Sequence, residues 1–485
     1  MKRRTFLALS SVAALYLAAR YMRSGGGMGM MSGGGMMGGG SSSLPPGGIK
    51  IKDLPIPALL KPVERNGVQH YDLQIQRAEH DFFKDMMTKT FAINGTYLGP
   101  TLLMKNGDHV SVNYQNRLGE LITMHGHGMH LPSRMDGTVH QPIQDGENWS
   151  AVYTVKQKAC TNWYHPHTLN NTAEQVYKGL AGLIIIEDEE SRRLDLPKRY
   201  GIDDIPLVLQ DRLFAHGQID YSPSMPQRMH GYVGDIPLAN GAIEPTLDIE
   251  AKEIRFRILN GSNASIYELG FSDGRSFHQI ATDNAFLEYP VKITEVTLSP
   301  AERAEIVIDL TKDYGRSLVL RDRRSGKQFL TIRVTKMATT QTLLPQKLTR
   351  LEKPLVSQAQ YRRRFVLSGM MGRFTINGKG MDPDRIDEHV PLNRLEIWEV
   401  ENNMMIDHNF HIHATHFIPI ARNGSIENLA ENEKGYKDVI LVPANETVSF
   451  LVKMTDYADV RIPYMYHCHF LEHEDAGMMG QFIVS

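Results

Sequence analysis

Near its C-terminal end the sequence runs Tyr466-His467-Cys468-His469-Phe470-Leu471-Glu472-His473, and Gly477-Met478 follows closely. A thiol lies between two imidazoles, with a third imidazole and a thioether shortly after. Side chains on an extended strand alternate between its two faces. His467 and His469 then point one way and Cys468 the other. One short strand can serve two metal centres, joined by the backbone on either side of Cys468. That arrangement is a path for electrons.

Three more clusters share this chemistry: His125-Gly126-His127, His165-Pro166-His167 and His408-Asn409-Phe410-His411-Ile412-His413. With the terminal cluster they take half of the 20 histidines. An i, i+2 pair sets two imidazoles on one strand face, so each H-x-H reads as a bidentate arm. One arm alone is weak evidence; four arms with a cysteine and a methionine are strong. Two histidines, a thiolate and a weak thioether describe a blue-copper electron-transfer site. Cys468, His473 and Met478 supply three of these from one loop, and His408 comes from another. Structural zinc takes four strong ligands and would leave the other histidines unexplained. Those others divide evenly: His125, His127, His165 and His167 early in the chain, His411, His413, His467 and His469 late. A site built from both halves lies at their interface, stabilises it, and has enough imidazoles for three copper ions with positions open for oxygen.

The elements that must carry these arms repeat. Phe91-Ala92-Ile93-Asn94-Gly95 recurs as Phe374-Thr375-Ile376-Asn377-Gly378, with a weaker copy at Leu238-Ala239-Asn240-Gly241. The Asn-Gly pairs stand 146 and 137 residues apart. That period is one domain long. An alternating strand follows each copy: Val110, Val112 and Tyr114 in the first; Ile254, Phe256 and Ile258 against Arg255 and Arg257 in the second; Leu395, Ile397 and Glu399 flanking Trp398 in the third. Period-two patterning with frequent Gly, Pro and Asn turns predicts antiparallel sandwiches. Polar seams at 188–200 and 336–360 place domains at 49–190, 195–340 and 360–485.

The chain of 485 residues is 41% hydrophobic and 22% charged, an ordinary globular composition. A net charge of −2 gives no electrostatic reason for a nucleic-acid partner. With Cys468 as a ligand, Cys160 has no disulfide partner and reads as a small buried hydrophobe. Residues 1–23 read as a targeting segment: Lys2-Arg3-Arg4 precedes an apolar run from Phe6 to Ala19, too short for a relaxed membrane span. The paired arginines point to twin-arginine export and a periplasmic location. Residues 24–48 are nearly all Gly, Ser, Met and Pro and are expected to be a disordered linker. Met28, Met30, Met31, Met36 and Met37 within it are either incidental or soft ligands for Cu(I).

Taken together, the four copper motifs resemble those of three-domain multicopper oxidases, closest to the bacterial copper efflux (cuprous) oxidases and bacterial laccases. Trp163-Tyr164-His165-Pro166-His167, Gly179-Leu180-Ala181-Gly182, Tyr200-Gly201-Ile202-Asp203-Asp204 and His473-Glu474-Asp475-Ala476-Gly477-Met478-Met479 carry the likeness, which covers nearly the whole chain after residue 50. The resemblance implies an all-β chain of three cupredoxin-like Greek-key β-sandwich domains binding four coppers: one type 1, one type 2 and two type 3. By motif, His408, Cys468 and His473 match the type 1 ligands, with Met478 axial. His125 and His411 match type 2; His127, His165, His167, His413, His467 and His469 match the type 3 pair. Asp136 and Glu474 stand where the resembled oxidases place acids that deliver protons to reduced oxygen. The implied partners are dioxygen and a small reducing substrate, Cu(I) foremost, in a monomeric protein serving copper tolerance. Phenols or tetrapyrroles, Fe(II), and a non-catalytic copper-binding role are the rivals. The sequence departs from the pattern at Gly126, where an aromatic is common, and at Asn409, where a proline often follows the histidine. It also lacks the long Met-rich insertion of the copper efflux oxidases; Met370, Met371, Met381, Met404 and Met405 are the methionines near that region, read as core filling.

Overall fold

The computed structural model describes residues 41–370 and 372–485. The targeting segment, the five linker methionines and Met371 lie outside the described residues. Within them the regular structure is overwhelmingly strand, in six sheets. Three large cores are enclosed, built mainly from the stretches Tyr71 to Ile186, Ile205 to Val334 and Phe365 to Val484. In the first, the sheet of Val68–Phe83, Met86–Ile93, His109–Arg117 and Asn148–Thr154 shares its core with the sheet of Thr101–Lys105, Gly182–Glu187, Cys160–His165 and His125–His127. Val110, Val112 and Tyr114 point into it, and the free Cys160 is buried in it. The fold is all-β and cupredoxin-like. Among the described residues no helix is long and apolar enough to cross a membrane.

The sandwiches are not purely antiparallel. Val68–Phe83 pairs in parallel with His109–Arg117, Asp204–Ala215 with Glu253–Asn260, and Tyr361–Met370 with Leu395–Asn402. The parallel neighbour returns only after intervening strands, as the long connections of Greek-key order permit. The repeated Asn-Gly turns pin this arrangement. Asn94, Asn240 and Asn377 have φ of 54°, 49° and 54°, a conformation that asparagine tolerates better than most residues. Each side-chain oxygen accepts from a backbone N–H of the long strand, at Gln74 (2.7 Å), Val208 (2.7 Å) and Val366 (2.8 Å). Each amide donates back to that strand, at Asp72, Pro206 and Arg364.

Two faces differ from the alternation read in the sequence. In the third copy Trp398 and Val400 enter the core, while Leu395 and Ile397 pack with Leu451 on the opposite face. Trp398 is turned inward with its Nε1–H on Glu396 (2.9 Å), a carboxylate held by Arg363 at 2.6 Å. In the second copy Arg255 and Arg257 do alternate away from the core but are buried, bound to Glu305 and Asp204, with Arg257 reaching Thr161 of the first sandwich at 3.0 Å. The tail of the expected disordered linker, residues 41–48, is docked: Ser43 N–H donates to Phe214 O (2.7 Å) and His216 N–H to Ser43 Oγ (2.8 Å). Backbone pairing to a strand end holds it in spite of its composition.

Candidate metal centres

The strand His125–His127 lies beside Cys160–His165, with His125 opposite His165. In the last sandwich His408–Ile412 lies beside Asp459–His467, with His411 opposite His467. These two sheet edges meet, and their imidazoles interleave. His127 stacks on His411 at 3.8 Å and His125 on His413 at 4.0 Å. All eight of these rings are buried.

They form two tripods and a pair. His167 Nε2 and His413 Nε2 lie 3.2 and 3.1 Å from His467 Nε2. On the other side, His127, His165 and His469 have ring centres 5.1 to 5.5 Å apart, with His127 Nδ1 3.4 Å from His165 Nε2. Between the tripods stand His125 and His411, each with an Nε2 that has no partner. In this grouping each H-x-H unit gives its two rings to different groups, where the sequence reads a bidentate arm, while His125 also lies within reach of His127 and His165, and of His411 and His413. The rings within one unit are 5.8, 6.3, 4.9 and 5.3 Å apart, close to the spacing within a tripod. Each unit bridges groups.

The last strand ends at His467, and Cys468 lies on the other side of the chain from the imidazoles flanking it. Its Sγ is 3.5 Å from His408 Nδ1 and 3.9 Å from His473 Nδ1, which are 3.1 Å from each other. Met478 is buried in the same core, and its carbonyl accepts from Cys468 N–H at 3.1 Å. His473 Nε2 donates to Met229 O (3.2 Å), and Phe374 stacks on the ring at 4.1 Å. The short helix Leu471–Asp475 turns His473 back toward Cys468.

A neutral imidazole has one N–H. His413 Nδ1 gives its proton to Asp136 Oδ2 (2.8 Å), and His467 Nδ1 gives its own to Cys468 O (3.0 Å). Their Nε2 lone pairs then confront each other at 3.1 Å, which is repulsive unless a cation lies between them. Burial keeps eight of the candidate ligand rings neutral: it holds His408 and His469 down at about 3, His167 at about 4, and His127, His165, His411, His413 and His473 well below the usual value. Burial also pushes the Cys468 thiol up to about 12, so a thiolate there needs a metal ion beside it. The unpartnered nitrogens and the converging lone pairs fit metal ions, and the Cys-His-His set with a methionine nearby fits copper.

Asp136 and Glu474 lie among the imidazoles, fully buried. Asp136 O accepts from His125 Nδ1 (2.7 Å), and its Oδ1 has no partner. Glu474 Oε2 is 3.2 Å from His467 Nδ1 and Oε1 is 3.7 Å from His167 Nδ1. Burial opposes a charge on Glu474, but His467 and His167 outweigh it and hold the carboxyl down at about 2.

Sequence reasoning missed several neighbours. Met229 Sδ accepts from Gly372 N–H at 2.7 Å, Met225 Sδ packs on the same glycine, and Met404 Sδ lies 3.2 Å from His408 Nε2. Asn409 Oδ1 accepts from His469 N–H (2.6 Å) while its amide holds Pro300 O (2.9 Å), a task proline could not perform. Asp438 and Arg303 close the wall beside His127. The Met-Pro-Gln-Arg-Met run at Met225 was the one readable signal among these, since its two methionines are one helical turn apart.

Family models described as multicopper oxidase match residues 74–191 and 352–485. A multicopper oxidase of Staphylococcus haemolyticus is 37% identical over 87% of this chain and 90% of its own. The cell division protein FtsP of Photorhabdus laumondii is 36% identical over 89% of this chain and 92% of its own. A crystal structure of a laccase from Pediococcus acidilactici superposes with a TM-score of 0.85 at 34% identity, covering 92% of this chain and 95% of that one.

Proposed function

The chain belongs to the multicopper oxidase family, an oxidoreductase that uses dioxygen and a reducing substrate, and from that premise we propose that its reductant is Cu(I) and its role copper tolerance in the periplasm. The four coppers of the family, when bound, accept electrons singly and together supply the four that turn dioxygen into two waters. We propose that His408, Cys468 and His473, with the Met478 thioether buried beside them, would hold the single type 1 copper. His125 and His411 would hold the type 2 ion; His127, His165 and His469, and His167, His413 and His467, would hold the type 3 pair.

The protein's own groups divide the work. Cys468 is bonded through one peptide unit to His467 on one side and to His469 on the other, so the thiolate centre and both tripods share a continuous covalent link. Asp136 Oδ1, with no hydrogen-bond partner of its own, is the carboxylate oxygen placed to relay a proton near the central histidine pair. Glu474, whose carboxyl is held down at about 2 by His467 and His167, stands ionised between them and is placed to accept and pass on a proton. Water is excluded by Trp163, stacked on His165 at 4.0 Å, and by the burial of every ligand ring.

One observation carries the choice of donor: the Met404 thioether, 3.2 Å from His408 Nε2. Met225 and Met229 gather at the nearby Gly372 turn, and Met225, Met370 and Met405 are exposed. Thioethers are soft ligands suited to Cu(I). The paired arginines of the leader support export. A second reading, oxidation of small aromatics, draws on a cavity of about 360 Å³ lined by Tyr267, Arg324, Ile406, Asp407 and Phe470, next in sequence to His408 and His469. A non-catalytic role, which the likeness to a cell division protein raises, is opposed by the complete set of convergent ligands. Oxygen uptake with Cu(I), Fe(II) and a phenol, on copper-loaded wild type and Met404→Leu/Met229→Leu, tests the choice. Cuprous turnover is expected to lead in the wild type and to fall selectively in the variant. Phenol turnover above cuprous turnover in the wild type would refute it.

A further inference from the structure

None of the type 1, type 2 or type 3 candidate ligands lies between residues 196 and 337, yet this stretch sends a charged side chain, Arg303, to the wall of the histidine cluster. Arg303 opens the strand Arg303–Asp309 and is fully buried. Its Nε donates to Thr161 O (3.0 Å), on the strand that carries His165. Nη1 donates to Ala301 O (3.0 Å) and Asp438 Oδ1 (2.7 Å). Nη2 donates to Asn162 Oδ1 (2.9 Å), Asp283 O (3.2 Å) and Asp438 Oδ2 (2.6 Å). One guanidinium thus binds all three sandwiches at a single point.

Asp438 is also fully buried, and among the described residues Arg303 is the one Lys or Arg paired with it. Its Oδ1 accepts from His127 Nε2 at 3.0 Å, and its carbonyl accepts from His411 Nδ1 at 2.8 Å. A neutral ring that donates from one nitrogen presents a lone pair at the other. For His127 the nitrogen left is Nδ1, which faces His165 Nε2. For His411 it is the unpartnered Nε2. One residue therefore decides the ligating atom of two stacked imidazoles from opposite ends of the chain. A buried carboxylate stripped of its arginine would lose the two contacts that fix its orientation, and its rotation would remove the acceptor that His127 needs.

We propose that Arg303, supplied by the sandwich that contributes none of the type 1, type 2 or type 3 ligands, is a positioning residue for the trinuclear centre, acting through its two-pronged grip on Asp438. The inference rests on the copper assignment above. It is tested on copper-loaded full-length wild type, Arg303→Met, Arg303→Lys, Asp438→Asn and the double variant Arg303→Met/Asp438→Asn. Copper per chain, blue absorption, paramagnetic resonance, and the rates of donor reduction and oxygen reoxidation are read for each. Arg303→Met is expected to keep the blue centre and its reduction rate. Its type 3 pair should lose magnetic coupling, and reoxidation should slow by roughly tenfold or more, the range for residues that orient metal ligands. Arg303→Lys should recover part of this, and the double variant should be no worse than the worse single. Unchanged coupling and reoxidation in Arg303→Met would overturn the inference. So would equal loss of the blue and coupled centres there combined with normal behaviour of Asp438→Asn, the pattern of a merely structural arginine. Absence of a coupled pair from the wild type would instead sink the copper assignment, and this inference with it.

Discussion

Asp136 performs two tasks that a single substitution can separate. Its Oδ2 takes the Nδ1 proton of His413 at 2.8 Å, which keeps His413 Nε2 turned toward His167 and His467. Its Oδ1 has no hydrogen-bond partner and is the oxygen available to relay a proton. Asparagine retains a carbonyl oxygen for His413 but has no dissociable proton. Asp136→Asn is therefore expected to load copper normally and to lose only the proton step, about 10²- to 10⁴-fold for a positioned general acid, or about 3 to 5 kcal/mol of barrier at 1.36 kcal/mol per decade. Alanine loses both tasks. The buried His413 N–H is then left without an acceptor, at a cost of about 1–3 kcal/mol, and copper loading falls as well. Stopped-flow reoxidation of fully reduced enzyme measures the first effect, and copper analysis the second. Donor reduction at the His408 face should be unchanged in both variants. The reasoning is refuted if Asp136→Asn reoxidises at the wild-type rate, or if it loses as much copper as Asp136→Ala.

Cys468→Ser should abolish the blue absorption and the donor-driven oxygen uptake while leaving the tripod coppers in place, as read by metal analysis and oxygen electrode. Chelation of copper should lower the thermal midpoint, because the buried imidazoles from the two ends of the chain would lose the cations that hold them together; a midpoint that does not move would contradict the assignment. Asn240→Ala should lower stability by about 2–4 kcal/mol, from the lost hydrogen bonds at Val208 and Pro206 and the left-handed backbone at φ 49°, read as a denaturant midpoint. His80 links the first sandwich to Gly241 O at 3.0 Å, and burial, reinforced by Lys52, holds it down at about 4. Because its folded value lies below the unfolded 6.5, the unfolded chain takes the proton first. Stability should drop by up to about 1.4 kcal/mol per pH unit between pH 6.5 and 4, and His80→Gln should lessen that slope.

The sequence was most readable where the chemistry is local. Two side chains on one strand alternate whatever the fold, so Cys468 could be separated from His467 and His469 by inspection. The Asn-Gly turns could be read as a repeat because each solves the same backbone problem. What escaped depends on partners far along the chain. That each H-x-H bridges two groups follows from which ring stands opposite, and His167 meets His467 across 300 residues. Trp398 faces inward because Glu396 beside it has arginine partners, which the hydrophobic pattern alone does not reveal. Met225 and Met229 lie in a different sandwich from His408, so their approach to it depends on how domains dock. Asp438 and Arg303 looked like ordinary charges; only full burial at the junction of three sandwiches distinguishes them.

The most direct test of the central claim is metal analysis with paramagnetic resonance on fully loaded wild type and Cys468→Ser, measured together. Four coppers per chain, one of them blue and absent from the variant while three remain, is the expected result. Zinc in place of copper, or a Cys468→Ser protein whose tripods empty along with the thiolate site, would contradict it.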